Sequence, residues 1–219
     1  MVKPESALRR LMRDTGTLLQ PYGFHGDEPT WVRVEPGGVA TVGRTRTFRT
    51  WTGGQQVLRF GLSLSATPAA WWEFCQWRAE RLTLPAVPIE QATGPALLTD
   101  AELPDAMTEM WSLRLDPELQ GHVHKSDVEA IRAELARRVH AYARRALRLL
   151  EPDRYLDELL AQTNPHLGTW EAIVVLLADR GPSTQLDDAL HQLLQFAERD
   201  TSAYAEDVSA YARTRSALV

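Results

Sequence analysis

The stretch Gln55-Gln56-Val57-Leu58-Arg59-Phe60-Gly61-Leu62-Ser63-Leu64-Ser65 decides the fold. Leu58, Phe60, Leu62 and Leu64 alternate with Arg59, Gly61 and Ser63. A period of two gives a strand one buried face and one open face. Upstream, Gly53-Gly54 reads as a turn, and Val39 to Trp51 reads as the preceding strand. Thr30 to Glu35 reads as another strand, closed by Pro36-Gly37-Gly38. Short glycine turns between such runs favour antiparallel hairpins over parallel crossovers.

Helices are expected on both sides of these strands. From Glu5 to Leu19, Leu8, Leu11, Met12, Thr15, Leu18 and Leu19 recur at three- and four-residue spacing, and Pro21 and Gly23 end the run. After the strands, Thr67-Pro68 reads as an N-cap and first helical position. Trp71, Phe74, Cys75, Arg78 and Leu82 would form the inward stripe of that helix, which is expected to cover the sheet. From Thr83 to Pro104 the prolines Pro85, Pro88, Pro95 and Pro104 break any period, so an irregular excursion is expected. Met110 to Leu115 reads as a strand returning to the sheet. Ser126 and Glu129 have capping-box spacing. Val128, Ile131, Leu135, Val139, Tyr142, Ala146 and Leu149 then mark one helical face. Further helices are expected at about Asp153–Gln162, Thr169–Arg180, Thr184–Arg199 and Ser202–Ala217, broken at Gly181-Pro182 and Asp200-Thr201. Their short connections imply antiparallel neighbours.

The fold class is therefore α+β. An N-terminal helix and a small antiparallel sheet covered by helices occupy residues 1–120, with the excursion at 83–104. A helical bundle or stacked helical hairpins, packed on the sheet domain, occupies 121–219.

Composition bounds the function. The chain has 219 residues, 44% hydrophobic and 24% charged, which suits a globular protein with a sizeable core. A net charge of −5 argues against a nucleic-acid binder held by overall charge, although a local patch survives such an average. Cys75 is the single cysteine, so no intrachain disulfide forms. Its neighbours Trp71, Trp72, Phe74 and Trp77 mark it as a small buried hydrophobe rather than a reactive thiol. No apolar run is long enough to span a bilayer, and the charged residues Arg9, Arg10, Arg13 and Asp14 are unlike a secretory signal. A cytoplasmic protein without a membrane partner is expected.

The phrases Leu18-Leu19-Gln20-Pro21-Tyr22-Gly23-Phe24, Thr30-Trp31-Val32-Arg33 and Leu58-Arg59-Phe60-Gly61-Leu62-Ser63, with the later Met110-Trp111-Ser112-Leu113, resemble the bacterial domain of unknown function 4304 family. The resemblance covers residues 5 to 160 loosely. It implies a helix, strands and a helical tail in this order, and it carries no agreed activity.

One constellation stands out. Between Trp31 and Phe60 lie Arg33, Arg44, Arg46, Arg49 and Arg59 against the single acid Glu35, a net charge of +4. Three readings fit. The arginines make a solvated sheet face that resists edge-to-edge aggregation, or meet an acidic protein or ligand, or, beside Trp31 and Trp51, bind nucleic acid. Arg44 and Arg46 share strand parity with the apolar Val42 and Phe48, so a clean open face for them needs a bulge. Trp71 and Trp72 point about 100° apart on a helix, so one of them, Trp72, is a candidate interface residue. His122-x-His124 offers two ligands and no third, so a polar loop is the better reading than a metal site. The paired acids Asp187-Asp188 and Glu206-Asp207 read as solvated. There is no phosphate loop, nucleophile elbow or H-E-x-x-H, and no cofactor is expected.

The expectation is a non-catalytic interaction protein that binds a protein partner through Arg33, Arg44, Arg46, Arg59 and Trp72. By analogy alone it would be an immunity or accessory protein. A nucleic-acid-binding module on the same sheet is the alternative. An enzyme with a site assembled from distant positions is the third reading.

Overall fold

A computed structural model describes residues 2–119, 121–198 and 203–218. The fold is α+β, as expected, but the strands form two small antiparallel sheets rather than one. Helix α1 (Pro4–Leu19) is followed by β1 (His25–Asp27), β2 (Thr30–Glu35), β3 (Gly38–Arg44), β4 (Phe48–Thr52), β5 (Gln55–Phe60) and β6 (Leu62–Pro68). One sheet has the order β1-β2-β3-β6. The other has the order β4-β5-β7, with β7 at Trp111–Arg114.

The strand expected at residues 39–51 is thus two strands, and so is the one at 55–65. The long hairpin changes sheets at Thr45 and Gly61. The Thr45 N–H donates to the Gly61 carbonyl at 3.0 Å, and the Gly61 N–H donates to Thr45 Oγ1 at 2.8 Å. This reciprocal pair holds the two switch points together while the ladder is interrupted. Strand β1 carries no apolar residue and gave no periodic signal.

The helices differ from expectation in partner more than in position. Helix α2 (Ala69–Arg81) starts after Thr67-Pro68, which end β6. Its N-cap residue is Pro68, without a side-chain cap. Its aromatic stripe meets other helices. Phe74 lies 5.6 Å from Tyr204 and 5.2 Å from Tyr211, and Arg78 pairs with Asp207 at 2.8 Å. Leu82 is exposed rather than inward. The excursion contains only short 3-10 turns at Ile89–Gln91 and Asp100–Glu102. The short helix α3 (Asp105–Thr108) leads into β7.

Helix α4 (Lys125–Arg148) buries Ile131, Leu135, Val139, Tyr142 and Ala146. It already includes Ser126 and Glu129, so these form no capping box; Glu129 pairs instead with Lys125 at 3.2 Å. Helices α5 (Arg154–Leu160), α6 (Leu167–Ala178), α7 (Thr184–Ala197) and α8 (Ala203–Ser216) follow. The expected end at Arg199, start at Ser202 and break at Asp200-Thr201 lie outside the described residues. Helix α6 is apolar nearly all round and is the centre of the helical core, with Ala172, Ile173, Val174, Val175 and Leu177 buried.

The chain divides into two compact units. One comprises Met1–Arg33, Ala40–Ser65 and Thr99–Arg148, and the other Val34–Val39, Ala66–Leu98 and Leu149–Val219. These do not coincide with 1–120 and 121–219: α4 clusters with the strands, and α2 with the late helices.

Candidate functional site

Register fixes the two faces of the β4-β5-β7 sheet. Arg49 pairs with Leu58 and Leu58 with Leu113, while Phe60 pairs with Trp111. Leu58, Phe60, Trp111 and Leu113 are buried. Helix α4 lies on this side, with Arg138 4.7 Å from the Trp111 ring. The opposite face carries Phe48, Thr50, Val57, Arg59, Ser112 and Arg114, since Phe48 pairs with Arg59, Thr50 with Val57 and Arg59 with Ser112; Val57 is buried and the rim is more open. Phe48 is 41% exposed.

The five arginines do not gather on one face. Arg33 shares strand parity with the buried Trp31, and its guanidinium donates to the Tyr22 carbonyl. Arg44 Nε donates to Glu28 Oε1 at 2.9 Å, and a second nitrogen donates to the Thr45 carbonyl at 3.1 Å. Arg49 is on the buried-face side and pairs with Glu5 of α1 at 2.7 Å. Arg46 is exposed in the bend between β3 and β4, with no ion pair among the described residues. Arg59 alone of the five stands on the open face. It has no ion pair among the described residues, and its buried Nε has no hydrogen-bond partner. Thr50 Oγ1, one strand over on the same face, is also buried without one.

Arg114 borders this face, held by Asp127. The Arg114 N–H donates to Asp127 Oδ2 at 2.9 Å, and its Nε donates to the same oxygen at 3.0 Å. Burial pushes the Asp127 carboxyl up, but these hydrogen bonds and the Arg114 charge outweigh it and hold the group below the usual carboxylate range. The hydrogen bond with Asp127 raises Arg114 further. Nothing local in the sequence marks this pair.

Trp72 is no open platform. It is half-buried and donates its indole N–H to the Val87 carbonyl at 2.9 Å, tying the excursion to α2. The exposed tryptophan is Trp51, at 73%. Its place beside Gly53-Gly54, at a hairpin tip, is the signal that marks it. Cys75 is half-buried, and burial pushes its thiol up against the opposing effects of Tyr204 and Arg78.

A cleft of about 570 Å³ lies between α1 and β1, lined by Arg9, Arg13, Gly16, His25, Asp27 and Trp31 among others. His124 Nε2 is 2.8 Å from Gln55 Nε2, and its Nδ1 is 3.9 Å from Asp116. Among the described residues no three His, Cys, Asp or Glu side chains cluster as metal ligands. Among them, too, no helix is long and apolar enough to cross a membrane.

Fold and surface define an α+β protein with two small antiparallel sheets, a helical C-terminal region and a partly exposed sheet face that carries Arg59. No family model, curated protein or solved structure matches the chain.

Proposed function

We propose that the chain is an interaction module that docks an acidic protein partner on the open face of β4-β5-β7, with Arg59 as the anchor. The observation that carries this reading is the state of Arg59. Its guanidinium stands on a sheet face without an internal acid, while Arg33, Arg44 and Arg49 are each engaged by groups of the protein itself. A guanidinium beside an exposed aromatic, Phe48, and next to Ser112 suits a carboxylate-bearing surface. An immunity or accessory role in a bacterial cytoplasm belongs to this reading, as does the likeness to the domain of unknown function 4304 family. Neither changes the docking chemistry.

The second reading is nucleic-acid binding on the same face. Phe48 directly across from Arg59 favours it, because an aromatic beside arginine stacks bases. Salt separates the two: backbone binding falls steeply with added salt. The test is recovery of the partner by the wild-type chain and by Arg59→Glu. Loss of a stoichiometric protein in the variant supports the proposal. Equal recovery by both chains contradicts it.

A further inference from the structure

The geometry points to strand addition at the outer edge of β4, with an extended acidic segment of a protein partner pairing along Phe48–Thr52. This rests on the docking reading above and names its mode.

Strand β4 ends its sheet, so one of its edges has no strand neighbour among the described residues. The β4–β5 turn fixes which backbone groups face that edge. Gly53 and Gly54 have φ of 60° and 77°, which is the type I′ geometry of a two-residue hairpin. Thr52 and Gln55 are then a hydrogen-bonded pair, and alternation makes Thr50–Val57 and Phe48–Arg59 hydrogen-bonded pairs as well. Trp51–Gln56 and Arg49–Leu58 are the intervening non-bonded pairs. The Gln56 carbonyl agrees, since it points away from β4 and accepts the Leu115 N–H at 2.9 Å. The N–H and C=O groups of Arg49 and Trp51 therefore point outward. No hydrogen bond among the described residues reaches them.

Natural edges are blunted by proline, bulges, charged side chains or great shortness, and of these β4 carries one charge, Arg49, which Glu5 pairs. Strand β4 has five residues, no proline and no acid, and it carries the exposed Trp51 and Phe48. Such an edge is a template for an added strand, with backbone bonds giving affinity and alternate side chains giving specificity. Charge selects the occupant. From Arg46 to Phe60 there are three arginines and no acid; Glu5 pairs with Arg49, which leaves Arg46 and Arg59 without an ion pair among the described residues. An acidic segment is complementary to that set, whereas a second copy of this chain would bring the same cations against it. Trp51 offers an aromatic neighbour to a β-branched residue of the added strand.

The test uses the full chain and a labelled eight-residue peptide of alternating glutamate and valine, read by fluorescence anisotropy. A peptide with lysine for glutamate is the control. Trp51→Pro removes an outward N–H that β5 does not use, and Trp51→Ala removes only the ring. The acidic peptide is expected to bind and the lysine peptide to bind at least about tenfold more weakly. Trp51→Pro is expected to lose about tenfold beyond Trp51→Ala, the worth of one backbone hydrogen bond. Should Trp51→Pro not fold, amide exchange on the wild-type chain replaces it, with protection of the Arg49 and Trp51 amides expected when peptide is added. Equal binding by the two Trp51 variants, together with loss in Arg59→Glu, overturns strand addition and leaves face docking standing. Absence of peptide binding, absence of amide protection, or a wild-type dimer that Trp51→Pro dissolves overturns it as well.

Discussion

Phe48 on β4 stands directly across from Arg59 on β5, on the face of the sheet that α4 does not cover. The pair joins an exposed apolar ring to a guanidinium without an internal acid, which is the usual make-up of an interface anchor. Arg33 stands in contrast, because it holds the backbone where α1 ends. The two arginines therefore separate by readout. Arg59→Glu should cost no more than about 1 kcal/mol, since Arg59 is half-buried but its Nε makes no hydrogen bond that the change would break. Arg33→Ala should cost about 1.5–3 kcal/mol, the worth of a hydrogen bond to a charged group. Chemical denaturation of both variants checks this. Equal destabilisation would contradict the division of roles.

Gly16 lies in the last turn of α1, where glycine costs up to about 1 kcal/mol relative to alanine. A Cβ at this position would stand 2.8 Å from Trp31 Nε1, so the bare backbone admits the indole edge. Gly16→Ala should therefore destabilise by about 1–2 kcal/mol despite its better helix propensity. Denaturant midpoints decide it, and a stabilised variant would show that Trp31 moves aside freely.

Thr83 follows α2 with φ of 56°, a left-handed conformation unusual for a β-branched residue. The Leu84 N–H donates to the Ala79 carbonyl at 2.8 Å and the Thr83 N–H to the Glu80 carbonyl at 3.1 Å, the two bonds of a Schellman motif. Glycine is the residue suited to that position. Thr83→Gly should stabilise by about 1 kcal/mol, visible as a rise of a few degrees in melting temperature.

Asp127 ties the first turn of α4 to β7 through Arg114. Its folded pKa is depressed, so its contribution to stability is fully present above the unfolded value of about 3.9 and is lost as pH falls through the folded value. Asp127→Asn should cost about 2 kcal/mol at pH 7, moderated by the exposure of Arg114, and the gap between wild type and variant should shrink below about pH 4. Denaturation across pH 2.5–7 provides the check. A gap independent of pH would assign the loss to packing.

The period of two in residues 55–65 made the hairpin legible, and Thr30–Glu35 and α1 followed from pattern and stop signals. The change of sheets was hidden because Gly61 between Phe60 and Leu62 keeps the alternation of residue types unbroken, although all three residues are buried. The partner of α2 was hidden for a related reason: an aromatic stripe looks the same whether a sheet or Tyr204 and Tyr211 cover it. Among the arginines, the register of the two-residue hairpin in the structure sets Arg49 and Arg59 on opposite faces. What parity cannot supply are the partners brought from afar: Glu5 for Arg49 and the Tyr22 carbonyl for Arg33. Such contacts engage Arg33, Arg44 and Arg49 within the protein and leave Arg46 and Arg59 without an ion pair among the described residues.

The central claim is that the Arg59 face holds an acidic protein partner. Its most direct test is affinity capture from the native host by the wild-type chain and by Arg59→Glu, each with and without nuclease, read by mass spectrometry. One stoichiometric protein that survives nuclease and is lost with Arg59→Glu is expected. A protein captured equally by both chains, or nucleic acid alone that disappears on nuclease treatment, would contradict it.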